Sequence, residues 1–330
     1  MRMMCAVTGA NGFVGSHLVE RLLEQGHQVR VLVRPTADLR WIERAEVERV
    51  AGSLTEREAL CRAFAGCDWV FHLAGVTSTS RRELFYRVNA EGTRAVAEAC
   101  LEAAPRLRRL VLVSTIAAAG PGRQGRPLDE SAPPRPVNHY GRSKLAGELE
   151  ARGFGDRLPL AIVRPGAIYG PRDQDNVPLF KLAARGLRVK LGLARRAFNF
   201  CHVADVVSGI LLAAARDEAL GELFNIGDVA NHELGELQRI LARVMGARAR
   251  IPLWLPVSLA YGAAAGGGAI ARVQGGRPAL NLDRIRLFTA RNWTMDVGKA
   301  QRMLGYAPSF DLASGLADTV RWCREMGWLD

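Results

Sequence analysis

Lysine is nearly absent: of 45 basic residues only Lys144, Lys181, Lys190 and Lys299 carry an ammonium, and the rest are arginine. Acidic residues number 33, so the formal charge is +12, yet no basic run between Arg2 and Arg324 exceeds two residues. A nucleic-acid binder concentrates such charge on one face or in an arm. The excess here reads as compositional bias with some attraction for phosphorylated ligands, and no nucleic-acid partner is expected. Cysteine is equally thin. Cys5, Cys61, Cys67, Cys100, Cys201 and Cys323 form no C-x-x-C pair and no Cys/His cluster, which argues against a metal centre or disulfide framework and fits reduced thiols in cytoplasm. No leader is expected, because strand-like residues begin at Met3. Hydrophobic residues at 48% and charged residues at 24% exclude a disordered chain, a collagen-like fibre and a multi-span membrane protein. A length of 330 residues asks for one large domain or two interleaved lobes. Residues 251–271 lack charge over 21 positions, long enough for a bilayer span. Pro252, Pro256, Gly262 and the glycines at 266–268 would weaken a lipid-facing helix. The segment therefore reads as an apolar substrate lobe or loop, with membrane-surface association the lesser reading.

Short apolar runs at 3–8, 29–33, 47–51, 69–73, 110–113 and 160–163 alternate with amphipathic stretches at 13–25, 57–65, 84–104 and 140–152. Near-continuous apolar strands separated by helices predict a parallel sheet covered on both faces, a doubly wound α/β fold of Rossmann type. Its ligands belong outside the carboxyl ends of the strands. Beyond Pro165 the pattern loosens into a helix at 203–216, a strand at 223–226 and a helix at 233–245. We divide the chain into a dinucleotide-binding domain, 1–168, and a smaller interleaved substrate lobe, 169–330, with segments around 197–227 returning to the core.

Gly9-Ala10-Asn11-Gly12-Phe13-Val14-Gly15 lies between the first strand and the first helix. Gly9 suits a tight turn, Gly12 lets backbone N–H groups approach a pyrophosphate, and Gly15 permits close helix–strand packing, with the positive end of the helix dipole facing the phosphates. Near the end of the second strand, where a carboxylate would bind the ribose 2′-hydroxyl of NAD, the chain has Arg34, and no carboxylate follows until Asp38. A guanidinium suits a 2′-phosphate, so NADP(H) is the expected cofactor, with NAD(H) as the alternative and adenine stacking the other use of Arg34. Tyr140 and Lys144 stand four residues apart, on one helix face, where the ammonium is expected to lower the pKa of the phenol. Such a phenol can exchange a proton with a substrate oxygen while hydride moves to or from a nicotinamide. Ser114 and Thr115, at the end of the preceding strand, offer a hydroxyl for the same oxygen.

The chain resembles the extended short-chain dehydrogenases/reductases, which include NAD-dependent epimerases/dehydratases, dihydroflavonol reductases and 3β-hydroxysteroid dehydrogenases. The likeness covers nearly the whole length. It is carried by Thr8 to Gly15, Phe71-His72-Leu73-Ala74-Gly75, Asn89-Ala90-Glu91-Gly92-Thr93 and Tyr140 with Lys144. It continues through Arg164-Pro165-Gly166-Ala167-Ile168-Tyr169-Gly170-Pro171, His202-Val203-Ala204-Asp205-Val206 and Leu304-Gly305-Tyr306-Ala307-Pro308. The resemblance implies that Tyr140 is the general acid/base, that Lys144 tunes it and hydrogen-bonds the nicotinamide ribose, and that Thr115 holds the reacting oxygen, with Ser114 the fallback. It implies cofactor contacts at Leu73, Ala74, Gly75, Pro165, Gly166, Ala167 and Ile168, and at Asn89 unless that residue only braces a helix. Ser53 and Leu54 fall where relatives often place an adenine-contacting aspartate, which leaves that contact open. His72, His202 and Cys201 are expected to be packed residues rather than ligands or nucleophiles. Homodimerisation through the helices carrying Tyr140 and residues 84–104 is typical of the family, although Leu84, Val88, Val96 and Ala99 equally suit packing on the chain's own sheet.

Departures narrow the reaction. The family's sugar dehydratases carry Asp-Glu after the active-site threonine; here Ile116-Ala117 follows Thr115, which disfavours dehydration. Many nucleotide-sugar epimerases place a diphosphate-gripping arginine where Phe198 stands, with Arg195 and Arg196 near enough to compensate. The reading is therefore an NAD(P)(H)-dependent oxidoreductase interconverting a secondary alcohol and a carbonyl on a hydrophobic small molecule. The alternatives are a nucleotide-sugar 4-epimerase and a non-catalytic NADP-binding scaffold or sensor.

Overall fold

A computed structural model describes residues 2–123, 125–247, 251–274 and 282–329. The first half runs β1 (Met4–Thr8), α1 (Phe13–Glu24), β2 (Gln28–Val33), β3 (Glu48–Ala51), α2 (Arg57–Phe64), β4 (Trp69–His72) and α3 (Arg82–Tyr86). A π-helical turn (Arg87–Glu91) follows, then α4 (Gly92–Ala103), β5 (Arg109–Val113), α5 (Ile116–Ala119), α6 (His139–Arg152) and β6 (Leu160–Pro165). The second half runs β7 (Ala167–Tyr169), α7 (Val177–Ala184), β8 (Leu187–Leu191), β9 (Ala197–Phe198), β10 (Phe200–His202), α8 (Val203–Ala215) and β11 (Leu223–Ile226). It ends with β12 (His232–Glu233), α9 (Leu234–Val244), β13 (Ile251–Leu255), α10 (Val257–Gln274), α11 (Leu282–Thr289), β14 (Asn292–Trp293), α12 (Gly298–Leu304) and α13 (Leu312–Glu325).

Seven parallel strands form one sheet in the order β11-β6-β5-β4-β1-β2-β3. Every residue of β4, β5, β6 and β11 is buried, as expected when helices cover both faces. On one face Leu18, Val19 and Leu22 of α1 pack with Val206, Val207 and Ile210 of α8 and with Leu304 of α12. On the other, Leu60 and Phe64 of α2, Val96 and Cys100 of α4, and Ala151 of α6 fill the opposite core. Each fully buried large apolar side chain contributes about 2 kcal/mol. The strand order reverses between β1 and β4, and a crevice opens there beyond the carboxyl ends.

Two elements differ from the sequence pattern. The expected helix over 84–104 is divided into α3, the π turn and α4, because Asn89 sits inside a wider turn that turns its side chain toward α6 and the loop after β4. The charge-free stretch over 251–271 is also divided: Pro256 separates β13, which pairs in parallel with β8, from α10. Among the described residues no helix is long and apolar enough to cross a membrane. The apolar positions Val96 and Ala99 are buried against the chain's own sheet, whereas Leu84 and Val88 face a cleft. The second lobe has its own core of Phe198, Phe200, Trp293, Leu312, Leu316 and Val320.

Candidate active site

The glycine turn after β1 is shaped by close approach. Gly9 has φ +74°, and a Cβ there would lie 2.6 Å from the Ala74 backbone nitrogen. A Cβ on Gly15 would lie 2.1 Å from the Gly9 carbonyl oxygen. Gly12 starts α1 with no side-chain cap, and no acidic residue occupies the helix's first turn. The free N–H groups there, with the positive end of the helix dipole, suit a diphosphate. A cleft of about 1240 Å³ opens from this turn. Its wall includes Gly9, Asn11, Gly12, Phe13, Val14, Gly15, Arg34, Ser53, Leu54, Leu73, Ala74, Gly75 and Ile168. These residues fit a dinucleotide: a diphosphate cradle lies centrally, with cations at one end and the carboxyl ends of β4 and β6 at the other.

Trp41, Asp38, Arg40 and Arg172 also line the cleft, and the sequence reading did not place them there. The Arg172 guanidinium stacks over Trp41 at 5.2 Å and donates to Ser16 Oγ at 3.1 Å. At φ +72° it is the one non-glycine with positive φ among the described residues. Its signal was available, since it directly follows the quoted motif ending at Pro171. The Asp38 carboxylate accepts from Arg40 Nε at 2.6 Å and Arg40 N at 3.0 Å, which holds it below the usual carboxylate range. That carboxylate is thus engaged, while Arg34 stands exposed at the same end.

Tyr140 and Lys144 sit on α6, and neither is among the residues that line the cleft. Asn138 caps the helix by accepting from Gly141 N at 2.9 Å. Asp283, from α11 of the second lobe, accepts from the N–H groups of His139 at 2.6 Å and Tyr140 at 3.2 Å. No local pattern signals that partner, 143 residues away from Tyr140. Thr115 Oγ1 accepts from Ala117 N at 3.2 Å, and the ring of the half-buried Tyr140 lies 6.3 Å from that of Phe85. The expected lowering of the Tyr140 pKa by Lys144 is not seen: burial pushes the phenol up, and the nearby Thr115 hydroxyl only partly offsets this. The ammonium points elsewhere. Lys144 Nζ donates to the Val113 carbonyl at 2.8 Å, and burial lowers its pKa to about 8, opposed by the charge of Glu148.

Ser114 does not share this site. Its hydroxyl donates to the buried Glu148, which also accepts from Arg164 Nε at 2.8 Å. Asn89 braces: its Nδ2 donates to Ser143 Oγ at 2.9 Å and to Val76 O at 3.0 Å, and its Oδ1 accepts from Val76 N at 2.8 Å. Pro165 and Gly166 are buried at the end of β6, and a Cβ on Gly166 would meet the Asn199 carbonyl oxygen at 2.6 Å. Neither they nor the half-buried Ala167 line the cleft.

His72 is packed, as expected. Thr93 Oγ1 donates to Asn89 O at 2.8 Å, so it accepts from His72 Nε2 at 3.1 Å. His72 Nδ1 then accepts from Thr8 Oγ1 at 2.7 Å, and desolvation keeps the ring neutral with a pKa of about 3. His202 does have a carboxylate partner, invisible in sequence: Asp318, at 3.3 Å. Burial pushes the Cys201 thiol well up, in keeping with an inert packed residue. Arg196 is buried and donates to the carbonyls of Ala194 and Phe288 at 3.0 Å, and Arg195 pairs with Glu233 at 3.3 Å. Neither lines the cleft, and Phe198 is buried in the second core. No group of three or more potential metal ligands occurs among the described residues.

The model of the NAD dependent epimerase/dehydratase family matches residues 5–227. The chain belongs to that family. It is 35% identical to the ceramide reductase of Caulobacter vibrioides, over 99% of this chain and 96% of that protein. It is also 35% identical to the 4-hydroxy-2-methyl-3-oxo-4-farnesyl-3,4-dihydroquinoline-1-oxide ketoreductase of Stigmatella aurantiaca, over 98% of each. The solved UDP-glucose 4-epimerase of Thermotoga maritima superposes with a TM-score of 0.79 at 25% identity, over 98% of this chain and 99% of that one. As a member of this family with reductases among its relatives, the chain is an NAD(P)-dependent oxidoreductase of the extended short-chain dehydrogenase/reductase type.

Proposed function

We propose that this oxidoreductase interconverts a secondary alcohol and a ketone or aldehyde on a hydrophobic small molecule, using NADP(H) in preference to NAD(H). The observation that carries the reading is the placing of the Thr115 hydroxyl near the Tyr140 phenol, with the buried Lys144 one turn further along α6. The diphosphate would rest on the N–H groups at the start of α1, and the bound nicotinamide supplies or accepts hydride. The chain's own part is proton management. Thr115 Oγ1 holds the substrate oxygen, and Tyr140 Oη donates its proton to that oxygen in the reducing direction. A phenol whose pKa burial has raised stays protonated at neutral pH, the state a general acid needs. Lys144, protonated below about pH 8 and held by the Val113 carbonyl, is the residue we assign to the ribose of the nicotinamide nucleotide.

Arg34 supports NADP(H): it is exposed in the cleft, while the nearby carboxylate of Asp38 is engaged by Arg40. The lipophilic substrate is supported by relatives that reduce a ceramide and a farnesylated quinoline, and by Arg195 and Arg196 being engaged by Glu233 and by backbone carbonyls. Likeness to a UDP-glucose 4-epimerase favours the rival epimerase reading, which predicts epimer formation from UDP-sugars with no net change in NADPH. The presence of both Tyr140 and Lys144 weighs against a non-catalytic scaffold. Tyr140→Phe should lower carbonyl-reductase turnover by about a hundredfold or more, with NADPH binding retained by fluorescence titration. Near-normal turnover in that variant would remove the assignment.

A further inference from the structure

We infer that the β8–β13 face of the second lobe docks on the surface of an anionic lipid bilayer. All five residues of β13 are exposed, and its outer edge has no strand partner among the described residues. Trp254, at 53% exposure, stands on one side of the ribbon and Ile251, at 58%, on the other, with Leu259 at 62% on α10 and Leu193 at 82% on the adjoining loop. Water-facing apolar groups in such a cluster mark an interaction surface. No charged residue occurs from 251 to 271, so no charge from that segment's described residues interrupts the patch.

The neighbouring segment has the complementary chemistry. Between Asp175 and Asp205 there is no acidic residue, and Lys181, Arg185, Arg188 and Lys190 fall there, with Arg195 paired to Glu233 and Arg196 buried. Lys181, Arg185 and Lys190 are exposed. Lys190 is the register partner of Trp254 in the parallel pair, which sets an ammonium beside an indole on one face of the ribbon. That pairing suits the headgroup layer, where the indole sits at the boundary and the lysine stem lies along apolar surface with its charge outward. Elsewhere Lys144 is buried and Lys299 pairs with Glu222, so the two lysines free to face a membrane both lie here. Isologous pairing with a second copy would bring these cations against their own counterparts, which favours an anionic partner over self-association. Nucleic acid would meet the cations but not the apolar strand. The inference goes beyond the catalytic reading and does not require it.

The test is co-sedimentation of the full chain with vesicles of phosphatidylcholine containing about one third phosphatidylglycerol, against phosphatidylcholine alone. Binding is expected to the anionic vesicles and to fall in high salt, with roughly a fivefold loss per cation removed. The double variant Trp254→Ser/Leu259→Ser and, separately, Lys190→Glu should each weaken binding, the double variant by about tenfold or more. Melting followed by circular dichroism checks that both remain folded. The proposal is overturned if wild type ignores anionic vesicles, if folded variants bind as well as wild type, or if the wild type is a dimer in buffer that the double variant dissociates. Because the readout needs no turnover, failure of the catalytic reading leaves the test standing.

Discussion

Lys144 carries a charge that can be lost not far above neutral pH. It is buried, and desolvation lowers its pKa to about 8 while Glu148 opposes the shift. The sign follows: the amine is protonated below that value and neutral above it. In the free enzyme kcat/KM for carbonyl reduction should therefore decline as pH rises past about 8, and Lys144→Met should leave a low, flat profile without that limb. A wild-type profile level to pH 9.5 would contradict the role. For stability the same group works oppositely: its burial penalty is full below about pH 8 and fades as pH rises toward the unfolded value of 10.5. The proposed preference for NADP(H) rests on Arg34. Losing a charged hydrogen-bond donor to a 2′-phosphate costs about 1.5–3 kcal/mol, so Arg34→Ala should raise KM for NADPH at least about tenfold and leave that for NADH nearly unchanged. Equal effects on both cofactors would assign Arg34 to adenine stacking. The turn of Gly9, Gly12 and Gly15 was legible because its geometry lies within a few residues of chain. The lysine's direction was not, since it depends on which carbonyl of β5 lies within reach.

At the scale of elements, the helix that carries Tyr140 is held from both ends of the sequence. Asn138 supplies the local cap, and Asp283 accepts from the first two N–H groups across the lobe boundary. A carboxylate at a helix N-terminus contributes about 0.3–1 kcal/mol, and up to about 2 when partly buried. Asp283→Asn keeps one acceptor and removes the charge. It should lower kcat about fivefold to tenfold while KM for NADPH stays within about twofold and Tm falls by only a few degrees, because Asp283 positions the phenol but touches no cofactor wall. Loss of Tm with kcat unchanged would make it a purely structural cap. The α/β alternation was readable because each strand's apolar run and each helix's apolar stripe report on burial. The π turn over Arg87–Glu91 and strand β13 were not. The first arises from Asn89 bridging to Ser143 and Val76, and the second from pairing with β8 more than 60 residues earlier.

For the whole molecule, the way the chain returns to its sheet sets how it unfolds. The edge strand β11 comes from the second half and pairs with β6, α8 packs on the sheet beside α1, and α12 with the turn after it closes the same core through Ala300, Leu304 and Tyr306. One hydrophobic cluster thus joins residues from Met3 to Tyr306, and the second lobe is tied back again through Asp283. Neither half can lose its packing without exposing the other's. Unfolding should therefore be one cooperative transition by calorimetry, by circular dichroism of the sheet and by fluorescence of the Trp322 and Trp328 pair near the C-terminus. A ligand bound at the glycine cleft then stabilises everything together. At a hundredfold excess over Kd, NADPH should add about 2.7 kcal/mol and raise the single Tm by roughly 3 to 6 °C. Two resolved transitions, or a shift confined to one probe, would mean that the lobes fold as separate units and that the returning segments are appended to the core rather than part of it.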